Sequence, residues 1–316
     1  MIYPKFLKDG DTIGITALSM GIDDKKLESF EKSMDNLHSK GFNTFFTSNV
    51  YSNEKLVSSS STTRAKEFND LVTDDKINMI MSARGGDFIF DCLEFIDYSL
   101  LLDNPKWVQG YSDPTSLLFT ITTKYDIATI YGNNAGSYDE EHKCYDDSIS
   151  ILKGDFPIQN SFSLNPTDWK CLNGSFEESG ILIGGCIECL RFVIGTKYDN
   201  VSNFVNKYKK YGFIWYFDLF DITSYDLYNV LVQFKNAGWF KYAKAFIFGR
   251  VCIPNTIDDS YSYEDAIKDA LGDTNIVINA DIGHIRPTFS VINGALGNIS
   301  VKDNNATLKM SFIDKN

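Results

Sequence analysis

Apolar residues in the first half of the chain follow two spacings in turn. Short continuous runs recur at Asp11 to Ala17, Phe42 to Phe46, Asn78 to Ser82, Trp107 to Gly110 and Ile127 to Tyr131, the signature of strands buried on both faces. Between them the spacing lengthens to that of amphipathic helices. Asp23 to Lys40 turns Leu27, Phe30, Met34 and Leu37 inward and is closed by Gly41. A second helix follows the polar stretch that begins at Val57 and carries Ala65, Phe68 and Leu71. A third spans Thr115 to Tyr125. Strands alternating with helices predict a parallel sheet covered by helices, an α/β fold.

The pattern breaks into polar sequence between about Ala135 and Glu178, which reads as a crossing between domains. The expected organisation is a first domain over 1–150, a crossing over 151–176 and a second domain over 177–316. In the second half, Gly180 to Ile183, Phe213 to Phe217, Ala245 to Phe248 and Ile276 to Asn279 read as strands. Cys186 to Ile194 reads as a helix, and Leu227, Val230, Leu231 and Phe234 mark another. The alternation from Asn298 to Phe312 about Asp303-Asn304-Asn305 predicts a hairpin. No internal repeat is present.

Composition narrows the class. With 43% hydrophobic and 23% charged residues in 316, the chain has the make-up of a globular protein and not of a disordered one. No apolar run reaches the ~20 residues of a membrane span, and the N-terminus lacks a secretory leader, so a cytoplasmic protein with no membrane partner is expected. The net charge of −12 argues against nucleic acid as a partner. Of six cysteines only Cys186 and Cys189 form a C-x-x-C. With no second pair or nearby histidine, a metal site is not expected, and the pair reads as two reduced core thiols.

Three places offer chemistry. Of the three histidines, His38 sits near a helix end and His142 in a charged loop, where both read as structural or solvated. His284 follows an apolar strand in Asp281-Ile-Gly-His-Ile-Arg-Pro, at the strand edge where α/β proteins place reacting groups. Ser112, in Gly110-Tyr-Ser-Asp-Pro, stands at a strand-to-helix turn that exposes a hydroxyl. The alternative there is a well-made helix start, with Asp113 as cap and Pro114 in the first turn. Arg84-Gly85-Gly86 also follows a strand. Its glycines either admit a ligand close to the backbone or make an ordinary tight turn. A serine nucleophile needs a base and an acid to orient that base. His284 is the available base, and Asp218 or Asp221, after the strand at Phe213, is the available acid. A nucleotide-binding module would require G-x-G-x-x-G with a downstream acid, which is missing here; no cofactor is expected.

Taken together, Leu7-Lys-Asp-Gly-Asp-Thr-Ile-Gly-Ile-Thr-Ala, Arg84-Gly-Gly, Gly110-Tyr-Ser-Asp, Tyr131-Gly-Asn-Asn, Ile183-Gly-Gly-Cys and Asp281-Ile-Gly-His resemble the LD-carboxypeptidase family of serine peptidases, which includes microcin C immunity peptidases. The resemblance runs from about residue 5 to 300. It implies a Rossmann-like N-terminal domain, a smaller C-terminal α/β domain of swivelling type, an active site between them and a homodimer. It also implies Ser112 as nucleophile, His284 as base and Asp218 as acid, with Gly86 and Asp113 supplying oxyanion-hole N–H groups. Arg84, Gly85 and Arg286 are the candidates for binding the substrate carboxylate. The family normally has Glu where Asp218 stands, one methylene longer. The implied activity is hydrolysis of an amide between an L- and a D-amino acid in murein peptides. The alternatives are cleavage of peptidyl or aminoacyl nucleotides, for which aromatic residues in Ala135 to Trp169 would form an adenine platform, or a catalytically weak binding homologue.

Overall fold

A computed structural model of the chain describes residues 1–255 and 260–313; residues 314–316, the end of the expected second domain, lie outside that description, as do 256–259. The chain forms two compact units, Met1–Phe156 with Ser290–Asn293, and Pro157–Phe289 with Gly294–Asn316.

The first unit is built on a six-stranded sheet in the order Val291–Asn293, Thr129–Tyr131, Trp107–Gly110, Met79–Ser82, Thr12–Thr16, Asn43–Phe46. The five expected strands are all parallel, and numbered along the chain they run 2-1-3-4-5, a doubly wound order. Every residue of Met79–Ser82, Trp107–Gly110 and Thr129–Tyr131 is buried, which is why those runs are continuously apolar and not alternating. The order reverses between Thr12–Thr16 and Met79–Ser82. The loops leaving those two strands and their neighbour Trp107–Gly110 therefore gather at the carboxyl ends where such sheets bind ligands.

Three local differences have physical causes. The first helix spans Leu27–Ser39 and not Asp23 to Lys40, because the Asp23 carboxylate accepts the N–H groups of Lys25 and Lys26 (3.1 and 3.2 Å) and holds a turn ahead of it. Lys143–Leu152 is a helix in the segment read as polar loop. His142, which is exposed, is its N-cap, its Nδ1 accepting the Cys144 N–H at 3.2 Å. The strand Val291–Asn293 comes from far along the chain and pairs antiparallel with Thr129–Tyr131.

The second unit, expected to be the smaller, carries the larger sheet. Its eight strands run Gln159–Asn160, Asn305–Ser311, Leu296–Lys302, Phe176–Cys186, Phe213–Asp218, Ala243–Gly249, Asn275–Ala280, Lys170–Cys171. The middle four are parallel; the outer ones are antiparallel. The stretch read as a crossing supplies both edge strands of this sheet, each two residues long, too short and polar to leave a strand signature. The hairpin turns on two residues, Asp303 and Asn304, both with positive φ (50° and 59°), as the tightest connections require. Among the described residues no helix is long and apolar enough to cross a membrane.

Candidate active site

In the first unit the chain leaves the buried strand Trp107–Gly110 and must reverse into the helix Thr115–Tyr125. Asn134 clamps the turn, its Oδ1 accepting the Tyr111 N–H (3.1 Å) and its Nδ2 donating to the Tyr111 carbonyl (3.3 Å). A side chain at Gly110 would press into Pro114 and Asn134, at 2.8 and 3.0 Å. So constrained, Ser112 takes φ +68°, a left-handed conformation that costs an L-residue on the order of 1 kcal/mol and persists only where the surroundings impose it. The Ser112 carbonyl accepts the Thr115 N–H at 2.9 Å, which ties the strained residue to the first helical turn.

The Arg84-Gly85-Gly86 loop lies against this elbow. A Cβ on Gly85 would stand 2.9 Å from the Ser112 Cβ and 3.0 Å from its Oγ, so only glycine leaves the hydroxyl uncovered. Gly86 has φ +146°, and a Cβ there would meet the Ser19 Oγ at 2.3 Å and the Met20 Cγ at 2.6 Å. Among the described residues neither the Gly86 nor the Asp113 N–H has an acceptor within the chain. Two backbone donors near a serine with no partner of their own suit an incoming oxyanion.

Asp113 does not cap the helix that follows it. Its buried carboxylate accepts the Ile89 N–H at 2.8 Å, fastening the 3₁₀ helix Ile89–Phe95 to the elbow. Burial pushes its pKa up to about 6, against the opposing hydrogen bonds from Ser19 and Ile89. Arg84 pairs with Asp23 (Nη1 to Oδ2, 3.0 Å) and holds that carboxyl below its usual range.

The second unit brings Asp218 and His284 together. Asp218 ends the buried strand Phe213–Asp218 and is itself fully buried; its Oδ2 lies 2.8 Å from His284 Nδ1, and its Oδ1 accepts the His284 N–H at 3.2 Å. The carboxylate thus holds both the ring and the backbone of one residue. Gly283 permits this approach, since a Cβ on it would fall 1.8 Å from the Asp218 Oδ1, and its φ of +106° also excludes most side chains. Burial lowers the His284 pKa, but Asp218, followed by Glu188 and Asp221, outweighs it, so the net direction is upward. Asp221, the other candidate acid, is exposed, and its N–H goes to Glu188.

Sequence reasoning missed Glu188. One of its oxygens accepts the N–H groups of Phe220, Asp221 and Ile222 at 2.8, 3.1 and 3.1 Å. It thereby fixes the turn after Asp218 that sets the Phe220 ring 4.5 Å from the imidazole, centroid to centroid. An acidic residue in the first turn of a short helix was a weak signal, since the N–H groups that donate to it lie over thirty residues away. Arg286 is half-buried in the His284 loop. Cys186 and Cys189 are buried thiols not joined in a disulfide, and the proximity of Cys189 together with burial raises the Cys186 pKa. Among the described residues no group of three or more His, Cys, Asp or Glu is arranged to hold a metal ion. Ser112, Asp113, Arg84, Gly85 and Gly86 thus belong to the first unit, and Asp218, His284 and Arg286 to the second.

Comparison with known proteins gives two family matches: a model described as the LD-carboxypeptidase N-terminal domain over residues 13–132 and one described as the LD-carboxypeptidase C-terminal domain over 179–299. A probable murein peptide carboxypeptidase of Bacillus subtilis is 23% identical over 97% of this chain and 94% of its own length. The microcin C7 self-immunity protein MccF of Escherichia coli is 37% identical over 39% of this chain and 36% of its own. A putative carboxypeptidase of Vibrio cholerae is 28% identical over 63% of this chain, and the match spans 66% of that relative's length. Among solved structures, MccF in complex with aspartyl sulfamoyl adenosine superposes with TM-score 0.82 at 22% identity, covering 99% of this chain and 100% of that one. A muramoyltetrapeptide carboxypeptidase from Oxalobacter formigenes gives 0.78 at 16%, covering 96% and 100%. At these identities the structural likeness is one of fold.

Proposed function

The chain belongs to the LD-carboxypeptidase family of serine-type carboxypeptidases, and from that premise we propose that it hydrolyses the amide between an L- and a D-amino acid in murein peptides, with Ser112 as nucleophile. The observation that carries the reading is the buried Asp218 carboxylate 2.8 Å from His284 Nδ1. A carboxylate facing Nδ1 keeps the proton on that nitrogen, leaving Nε2 as the base.

In the proposed mechanism the Ser112 Oγ attacks the amide carbonyl carbon while His284 Nε2 takes the hydroxyl proton. The N–H groups of Gly86 and Asp113 bind the oxygen as it becomes negative. Collapse expels the D-amino acid, whose nitrogen takes the proton back from His284, and water then hydrolyses the acyl-enzyme by the same route. The terminal carboxylate of the substrate is assigned to Arg84, Gly85 and Arg286. Arg84 gives one donor to Asp23 and retains others for a planar bidentate contact. We further propose that the enzyme works in the cytoplasm as a homodimer.

A second reading keeps the chemistry and makes the substrate a peptidyl or aminoacyl nucleotide. It is supported by the 37% identity to the microcin C7 self-immunity protein, over 39% of the chain. Against it, Tyr138, Tyr145 and Trp169 of the segment that would supply an aromatic platform are core residues, at most 5% exposed, which leaves only the half-buried Phe156 and Phe162. The test is release of the C-terminal D-amino acid from a muramoyl tetrapeptide, run beside cleavage of aspartyl sulfamoyl adenosine. Turnover of the first, lost by on the order of 10³-fold or more in Ser112→Ala, is expected. Preferential turnover of the second would select the nucleotide reading. Equal, near-zero turnover of both substrates by wild type and Ser112→Ala would mark a binding protein, and a fluorophosphonate adduct on another serine would overturn the assignment of Ser112.

A further inference from the structure

We propose that Arg250 is a positioning residue for His284, holding from a neighbouring strand end the loop that presents the imidazole. Arg250 immediately follows the strand Ala243–Gly249, and its side chain is 10% exposed. Its Nη2 donates to two carbonyls of the His284 loop, those of Ile285 and Pro287, both at 2.9 Å. Its Nη1 bonds the Asp281 Oδ1 at 2.6 Å and lies 3.4 Å from the Asp168 Oδ2. One guanidinium therefore grips the loop three residues before His284, at the next residue, and three residues after it.

The rest of the loop leaves little slack. Its ends are joined by the Phe289 N–H to the Asp281 carbonyl at 2.7 Å, and the Gly283 N–H donates to the Thr288 Oγ1 at 3.0 Å. Asp281 is fully buried; its Oδ2 accepts the Trp169 Nε1–H and the Phe162 N–H, each at 2.7 Å. Buried ion networks of this kind add little net stability, because desolvation offsets the Coulombic gain. What this one supplies is geometry: a planar fork reaching two carbonyls and a carboxylate at once, which an ammonium cannot reproduce. Gly249 belongs to the same arrangement, since a Cβ there would fall 2.1 Å from the Ile282 carbonyl oxygen, so the strand end that launches Arg250 abuts the loop directly.

The inference rests on the proposed role of His284 as base, and its test has a readout that needs no turnover. With three histidines in the chain, each imidazole can be followed by NMR, His284 being assigned by its loss in His284→Gln. The groups setting its titration are Asp218, Glu188 and Asp221. In Arg250→Lys the loop relaxes away from Asp218, and the His284 midpoint is expected to fall by about one pH unit, with His38 and His142 unmoved. Where turnover is measured, kcat falls on the order of 10- to 100-fold with KM little changed. A moved midpoint in a protein that turns over neither substrate would uphold the positioning role while removing the hydrolase reading. A folded Arg250→Lys in which His284 titrates as in wild type overturns the proposal. Should that variant not fold, Trp169→Phe, which removes one donor from Asp281, is expected to move the midpoint the same way by less; no movement there counts equally against it.

Discussion

Replacing Asp218 by the glutamate usual in the family should damage this protein and not improve it. The His284 loop lies hard against the acid that is present: a Cβ on Gly283 would lie 1.8 Å from the Asp218 Oδ1, and the His284 N–H bonds that same oxygen at 3.2 Å. Asp218→Glu would push the carboxylate outward by about 1.5 Å, the length of one C–C bond, into a site with no exposed surface. Overpacking of that size costs about 1–3 kcal/mol. Displacing the His284 contact from 2.8 Å by on the order of 1 Å is worth about 100-fold in kcat. The expected outcome is therefore a denaturation midpoint lowered by that stability loss together with a kcat reduced about 100-fold on a muramoyl tetrapeptide. Asp218→Asn separates the two effects, since it keeps the shape and removes the charge that fixes the tautomer: stability should change less, and kcat should fall on the order of 10³–10⁴-fold. An Asp218→Glu protein with wild-type stability and equal or higher kcat would refute the claim that the loop leaves no room for a longer acid.

Two further outcomes follow from the same geometry. Ser112→Gly, at φ +68°, removes turnover but relieves the strained backbone, so its unfolding free energy should equal or exceed that of Ser112→Ala by about 1 kcal/mol; a Ser112→Gly less stable than Ser112→Ala would mean the elbow is not strained. Because the His284 pKa is raised in the folded protein and the base must be neutral, the acid limb of kcat/KM should have its midpoint above the ordinary 6.5, and the same ionisation contributes stability that is complete below pH 6.5 and is lost as pH rises through the raised value. Denaturation midpoints of wild type and His284→Gln, compared between pH 6 and 9, check the second part, with the difference expected to shrink as pH rises.

The central strands of the first unit's sheet were legible because burial on both faces favours short apolar runs. Elements that depend on partners elsewhere in the chain were not. Val291–Asn293 is three residues long and pairs with Thr129–Tyr131, and nothing within three residues announces a partner so distant. The helix Lys143–Leu152 did leave a trace, with Cys144, Tyr145, Ile149 and Leu152 on its buried side, but three charged residues among its ten masked the period. Tyr263–Leu271 had a readable start, the Ser262 and Asp265 capping box. Arg250 gave no signal at all: a single arginine after an apolar strand is common, and its meaning lies in Asp281, Ile285 and Pro287, over thirty positions on.

The site residues explain why short motifs that are individually uninformative become telling in combination. Gly85 is required because Ser112 is there, and Gly283 because Asp218 is there; Asn134 acts by clamping Tyr111; Gly184 leaves room for the Tyr216 carbonyl, which a Cβ would meet at 1.8 Å. Each motif is one half of a steric or hydrogen-bonded pair whose other half stands in a different stretch of chain. A glycine pair alone is compatible with any tight turn. Once its partner is present at the facing position, alternative residues are excluded by contact distances and not by propensity, and the two halves constrain each other. Asp218 fits the same logic: the His284 loop comes this close to the carboxylate because the residue facing it is glycine, so substitution at either position changes what the other tolerates.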